Sequence, residues 1–140
     1  MRYLDTNIIV YSIENHKDYG NYCKKILQDI EDGKLKVACN HLVLVELINV
    51  LQKINKILIK DKKRSLDIKK NIDAVLSLPI IWFDLDLLII KKASEYDYPI
   101  SGSDYIHIAT MEINSIKEII SADKELDKIS TVKRVDPLKF

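Results

Sequence analysis

The sequence predicts an α/β fold with a mostly parallel central sheet. Three observations point there. Short apolar runs of strand length alternate along the chain with longer stretches whose apolar residues recur at helical spacing. Polar caps or helix breakers stand at many of the junctions. Only three Gly and three Pro occur, no Ser- or Gly-rich stretch marks a linker, and no internal repeat is present, so residues 1–140 read as a single domain.

Taken in order, residues 2–4 are a strand, and "TNIIVYSI" is a short helix capped by Asp5 or Thr6. "GNYCKKILQDIEDG" sets Tyr22, Ile26, Leu27 and Ile30 at helical spacing and stops at Gly33. "KVAC" is a strand, after which Asn40 caps the long helix "HLVLVELINVLQKINKIL". "KDKKRSLDIKKNIDAVLSL" reads as a further helix closed by Pro79. "IIWF" is a strand and "DLDLLIIKKASEYD" a helix. "SGSDYIHIATMEIN" opens on capping serines and becomes helical, "KEIISA" is a strand, "DKELDKI" a helical turn and "TVKRV" the last strand.

Composition narrows the class. Apolar residues make up 47% and charged residues 31% of the 140, enough for a hydrophobic core and too much apolar content for a disordered chain. The net charge of +1 advertises no nucleic-acid binding, although it leaves room for a local basic face. Asp5 and Glu14 interrupt the N-terminal apolar run, so no secretory signal is expected. No apolar run approaches the ~20 residues of a membrane span. Cys23 and Cys39 lack metal-ligand spacing and read as buried, reduced thiols, which suits a cytoplasmic protein.

The informative residues are acids in unlikely places. Glu46 lies in "LVLVELINVL", with Leu42, Val43, Asn49 and Val50 as its helical neighbours, so no cation on its own helix can pair with it. It either finds a tertiary cation, takes up a proton or binds a metal, or it faces solvent on a polar stripe with Asn49 and Lys53. Asp5 and Asp123 each follow a short apolar strand and precede a helical turn. That is where helix caps sit, and also where open parallel sheets bind ligands. Asp104 stands at the start of the helix after Ser101 and Ser103, and Asp127 lies one helical turn beyond Asp123. Carboxylates converging on one site would repel one another unless a cation lay among them. A hard cation such as Mg²⁺ or Mn²⁺ suits oxygen ligands and phosphodiester hydrolysis.

Other chemistries are not supported. His16, His41 and His107 form no zinc pattern. His107, one turn after Asp104, either lines the rim of such a site or packs within its helix. There is no Gly-rich phosphate loop and no nucleophile elbow. The "KDKKR" run is a solvated helix start with some capacity for an acidic partner.

Four segments together, "YLDTNIIVY", "LVLVELINVL", "SGSDYIHIATM" and "IISADKELDKI", give the sequence its resemblance to the PIN-domain nucleases, above all the small VapC-type ribonuclease toxins. The resemblance spans nearly the whole chain. It implies a three-layer α/β/α fold and a metal-binding acidic quartet at Asp5, Glu46, Asp104 and Asp123. Asp127 would be an accessory acid, with Asn7 and Ser121 as polar supports. It also implies dependence on Mg²⁺ (or Mn²⁺), endonucleolytic cleavage of RNA, homodimerisation and a cognate antitoxin. Two positions depart from the pattern: His41 stands where a small hydroxyl residue is common, and Leu126 where an aromatic is common. Neither removes an acid.

The expected function is therefore a metal-dependent endoribonuclease of toxin type. A housekeeping RNA-processing nuclease and a non-catalytic binding module on the same fold are the alternatives. A homodimer is expected independently, because "HLVLVELINVL" is apolar almost all round its helix and must bury two faces.

Overall fold

The computed structural model describes residues 1–140. Strand β1 (Arg2–Leu4) is followed by helices α1 (Thr6–Ile13) and α2 (Gly20–Glu31), strand β2 (Val37–Asn40), and helices α3 (Leu42–Lys60) and α4 (Ile68–Leu76). Then come β3 (Ile81–Phe83), α5 (Leu87–Ala93), α6 (Gly102–Ile113), β4 (Glu118–Ile120) and β5 (Lys133–Val135). Short 3₁₀ turns occupy Lys124–Lys128 and Pro137–Lys139. All five strands are parallel, in the order β3-β2-β1-β4-β5.

The strand residues alternate between two cores, as a two-residue side-chain period requires. Leu4, Val37, Cys39 and Ile120 point to one face, where they meet Ile8 and Ile9 of α1, Ile26 and Ile30 of α2, Leu47 and Leu51 of α3, and Val75 of α4. Tyr3, Ala38 and Ile119 point to the other, against Ile108 and Met111 of α6. Helix α5 is joined to α6 through Ile89, Ala93 and Ala109. The result is the expected three-layer α/β/α arrangement, in which the apolar residues of β1, β2 and β4 are all buried because helices cover both faces. Cys23 and Cys39 are buried and unpaired.

Several boundaries differ from the sequence reading, each for a local reason. Residues 60–67 do not begin a helix. Helix α3 runs on to Lys60 and ends where Lys62 takes a left-handed conformation (φ 56°). Asn55 then pins the connection, accepting from Leu66 N at 2.7 Å and donating to Leu66 O at 3.0 Å. Helix α4 starts only where Asp67 caps Lys70 N at 3.0 Å. Helix α5 likewise begins after Asp86, whose carboxylate accepts from Ile89 N at 2.9 Å. Asn40 is the last residue of β2, not the residue directly before α3. Its side chain still accepts from Leu42 N at 2.9 Å, while its amide donates to Asp84 O and to Thr110 Oγ1. Ser101 holds the N-cap position of α6, but its hydroxyl bonds Asp104 instead of the backbone. The turn at Pro137–Lys139, capped by Asp136, was not expected.

The α1–α2 connection is tight. A Cβ added at Gly20 would lie 3.0 Å from the backbone carbon of Asn15 and 3.3 Å from the carbonyl oxygen of Tyr11. Asn15 itself is left-handed (φ 54°). The turn over residues 14–19 is thereby folded back onto the end of α1.

Candidate active site

In the strand order, the chain moves outward from β1 through β2 to β3, then returns to the other side of β1 with β4. The carboxyl ends of β1 and β4 flank this reversal, the place where open α/β sheets form a crevice. A cavity of about 300 Å³ lies there, and Asp5, Glu46, Asp104 and Asp123 all line it, together with Thr6, Asn7 and Tyr11. No Lys, Arg or His is among its lining residues. A larger cavity of about 540 Å³ lies between α1, α2 and α4, but the four acids are not part of it.

Asp5 ends β1 and begins α1. Its Oδ1 accepts from Thr6 N at 2.8 Å, and its Oδ2 accepts from Ser121 Oγ at 2.6 Å and Asn7 Nδ2 at 3.3 Å. Ser121 follows β4, and its Oγ also accepts from Asn7 Nδ2 and from Asp123 N, both at 3.0 Å. Asn7 Oδ1 accepts from Ala122 N at 3.2 Å. Asn7 and Ser121 thus stitch the two strand ends together and fix the Asp5 carboxylate. Asp123 caps the turn that follows, accepting from Glu125 N at 3.0 Å, and still faces the cavity. For Asp5 and Asp123, cap and cavity wall are compatible roles.

Glu46 is neither on a solvent stripe nor without a partner. Its Oε1 accepts from Thr6 Oγ1 at 2.9 Å and is 2.6 Å from His107 Nε2. His107 is 2% exposed, which removes it from the rim, and its Nδ1 meets the Tyr3 hydroxyl at 2.5 Å. That hydroxyl accepts from Asn40 N at 2.9 Å. With neutral His107, Tyr3 donates to Nδ1, and Nε2–H donates to Glu46, a tautomer assigned from this network. Tyr3 and His107 belong to the α6 layer and Glu46 to the α3 layer, so the relay joins both helical layers across the end of the sheet.

The carboxyl groups titrate differently. Burial raises the pKa of Asp5, and the charge of Asp104 adds to it, against the opposing effects of His107, Ser121 and Thr6. Burial also raises Asp104, whose bond from Ser101 (3.0 Å) and proximity to His107 are outweighed once the charges of Asp123 and Glu46 are added. Glu46 is lowered: burial would raise it, but the His107 hydrogen bond and charge prevail. His107 is correspondingly raised, since burial, which favours its neutral form, is overcome by Glu46.

Asp127, expected as an accessory acid, is not in the cavity wall. Arg134 grips its carboxylate through Nε at 2.9 Å and Nη2 at 3.2 Å, holding its pKa low, and donates from Nη1 to Ser121 O at 3.0 Å. Asp127 reaches the site only through that guanidinium. At three residues per turn, a residue four positions on is displaced by about a third of a turn, so Asp127 does not share the face of Asp123.

No three His, Cys, Asp or Glu side chains stand close enough to hold one metal ion jointly. The cavity nevertheless offers four carboxylates beside the neutral polar groups of Thr6, Asn7 and Tyr11, and Asp5 and Glu46 are already oriented by hydrogen bonds. This donor set fits a hard cation that keeps much of its water and takes one or two carboxylates directly, rather than a closed cage.

An α/β/α protein with four acids at its topological switch point defines a narrow structural class. The chain belongs to the PIN domain family, whose profile matches residues 2–132. No curated protein matches its sequence. Among solved structures, it is similar to VapC20 of Mycobacterium tuberculosis, a Sarcin-Ricin loop cleaving toxin (TM-score 0.73, 14% identity, 94% of this chain and 97% of that one). It is also similar to VapBC2 of Rickettsia felis, solved with a DNA fragment from its promoter (TM-score 0.68, 19% identity, 97% and 98%). A toxin–antitoxin complex from Klebsiella pneumoniae is a third (TM-score 0.65, 14% identity, all of both chains).

Proposed function

We propose that this chain, residues 1–140 acting as one domain, is a divalent-metal-dependent endoribonuclease and the toxin of a toxin–antitoxin pair. The observation that carries the reading is the convergence of Asp5, Glu46, Asp104 and Asp123 on one cavity that holds no basic side chain. Such a set is electrostatically incomplete without a cation. The PIN family membership and the likeness to structures described as toxins and toxin–antitoxin complexes support the toxin role and an antitoxin partner.

A Mg²⁺ or Mn²⁺ ion taking one or two of these carboxylates directly and facing the others through its water would neutralise charge on the scissile phosphate and ease deprotonation of water. The chain's own residues prepare the place. Ser121, Asn7 and the Thr6 amide fix Asp5, and His107 with Thr6 keeps Glu46 ionised. Asp5 and Asp104 hold protons more readily than ordinary aspartates, so proton and cation compete for the same oxygens, and acidification weakens cation binding. Water attacks phosphorus, the P–O3′ bond breaks, and the departing 3′ oxygen takes a proton. RNA exposed to purified protein with Mg²⁺ or Mn²⁺ is expected to carry 5′-phosphate and 3′-hydroxyl ends, with no cleavage in chelator. End sequencing that finds 2′,3′-cyclic phosphates would refute this mechanism, because the RNA's own 2′-hydroxyl would then be the nucleophile.

The protein acts in the cytoplasm as a homodimer in this reading. No helix is long and apolar enough to cross a membrane. Helix α3 buries Val43, Leu47 and Leu51 but leaves Val45 half exposed, and Leu87 and Leu88 of α5 are 84% and 61% exposed. Light scattering at micromolar concentration is expected to give twice the chain mass of 16.2 kDa, and a monomer mass would reject the dimer.

A further inference from the structure

Beside the acidic cavity lies an aromatic cluster to which nothing above gives a role. Tyr11, near the end of α1, lines the cavity. Its ring is stacked with Tyr19 (centroids 5.3 Å apart, interplanar angle 23°) and tilted against His16 (4.3 Å, 44°). His16 and Tyr19 meet each other at 5.1 Å. Three centroids at such similar separations form a triangle, so His16 and Tyr19 cannot sandwich Tyr11 from opposite faces. The pair therefore leaves part of the Tyr11 ring uncovered; Tyr11 and Tyr19 also pack on the core, and Tyr11 lines the cavity.

The cluster is built, not incidental. His16 Nδ1 accepts from the backbone of Asp18 at 3.1 Å and of Tyr19 at 3.2 Å, which locks the imidazole as part of the turn. Gly20 lets that turn close on Asn15, whose backbone carbon a Cβ would crowd at 3.0 Å. All three rings remain partly exposed.

The cavity's charge sharpens the question of what holds a nucleic acid there. Its wall carries four acids and no cation, so the polynucleotide backbone gains nothing from the protein's own side chains at that spot. Aromatic faces bind bases without regard to backbone charge, and stacking is the usual source of affinity for single strands. We infer that Tyr11, backed by His16 and Tyr19, is a stacking platform for an unpaired base next to the scissile phosphate. This rests on the nuclease reading of the adjacent cavity. Tyr11 is here a substrate-positioning residue with no part in bond breaking.

The test uses fluorescence anisotropy of a labelled short single-stranded RNA, and of a set with one abasic position each, in Ca²⁺ and in chelator. Parent protein is expected to lose about tenfold in affinity when one particular position is abasic, the size of one base–aromatic stack. Tyr11→Leu, checked by its melting curve, should bind the intact strand about as weakly as the parent binds that abasic one. It should no longer distinguish the two. Tyr11→Phe, which keeps the ring, should restore the distinction. Equal binding of intact and abasic strands by the parent, an unchanged distinction in Tyr11→Leu, or no measurable RNA binding by the parent would each overturn the platform. Cleavage with the expected ends but no base-dependent binding defeats the platform alone. Base-dependent binding without metal-dependent cleavage defeats the nuclease reading alone.

Discussion

Asp104→Asn is expected to abolish RNA cleavage, lowering the rate at least about a hundredfold, while making the metal-free protein more stable. Asp104 sits at the start of α6 beside Asp123 and Glu46, and both charges push its pKa up after burial has already done so. A carboxyl with a folded pKa above its unfolded value binds more protons when folded. Stability therefore falls as pH rises between the two values, and the destabilisation persists at neutral pH. The isosteric amide removes one charge from the cluster and keeps an acceptor for Ser101. Asp104 is only partly buried, so solvent screening limits the gain to about 1 kcal/mol. Melting curves of parent and variant, in chelator and with Mg²⁺, give the check. The variant should melt higher in chelator, and added metal should raise the parent more, by mass action. A variant less stable in chelator, with neither protein responding to metal, would show the acid to be only a cap.

His107→Phe is expected to lower stability strongly. The ring would leave the Glu46 carboxylate without its buried partner and the Tyr3 hydroxyl without its acceptor. Breaking a buried pair from one side costs about 3–5 kcal/mol. The pH dependence identifies the cause. Glu46 is lowered on folding, so its contribution is complete above its ordinary value of 4.5 and is lost as pH falls through the folded value. His107 is raised, so its contribution is complete below its ordinary value of 6.5 and declines as pH rises through the folded one. The stability difference between parent and variant, measured by urea unfolding, should be widest between 4.5 and 6.5 and narrow on both sides. A difference independent of pH would mean that His107 acts by packing alone.

The layered fold was legible because short apolar runs of strand length alternate with stretches of helical period. What was not legible were competitions between neighbouring signals. Asp67 and Asp86 each outbid an earlier start for their helix, and a charged run containing Lys62, Lys63 and Arg64 gave no sign that its backbone would turn left-handed at Lys62. The four acids that the family resemblance implied lie at strand ends and near helix starts, and the structure brings them to one cavity. His107 and Tyr3 were left unassigned because a buried His–Glu pair requires two helices from opposite layers to meet, and no spacing along one helix encodes that. One hint was present: a glutamate with no cation on its own helix needs a partner elsewhere. Asp127 was read only as an accessory to Asp123, and the tightness of a 3₁₀ turn, with Arg134 on the next strand, keeps it out of the cavity wall.

The bond from Ser121 to Asp5 closes a loop of 116 positions, and Asn7 is fastened to Ser121 and Ala122 across nearly the same span. Synthesis proceeds from the N-terminus, so Asp5 leaves the ribosome long before the residues that orient it. Until β4 has emerged and threaded in beside β1, the acids are scattered over unconnected stretches, and such distant pairings form late and slowly. A half-made chain therefore has no assembled cavity. If the proposed nuclease activity is right, the nascent chain is inert beside the ribosome that makes it until β4 has joined β1.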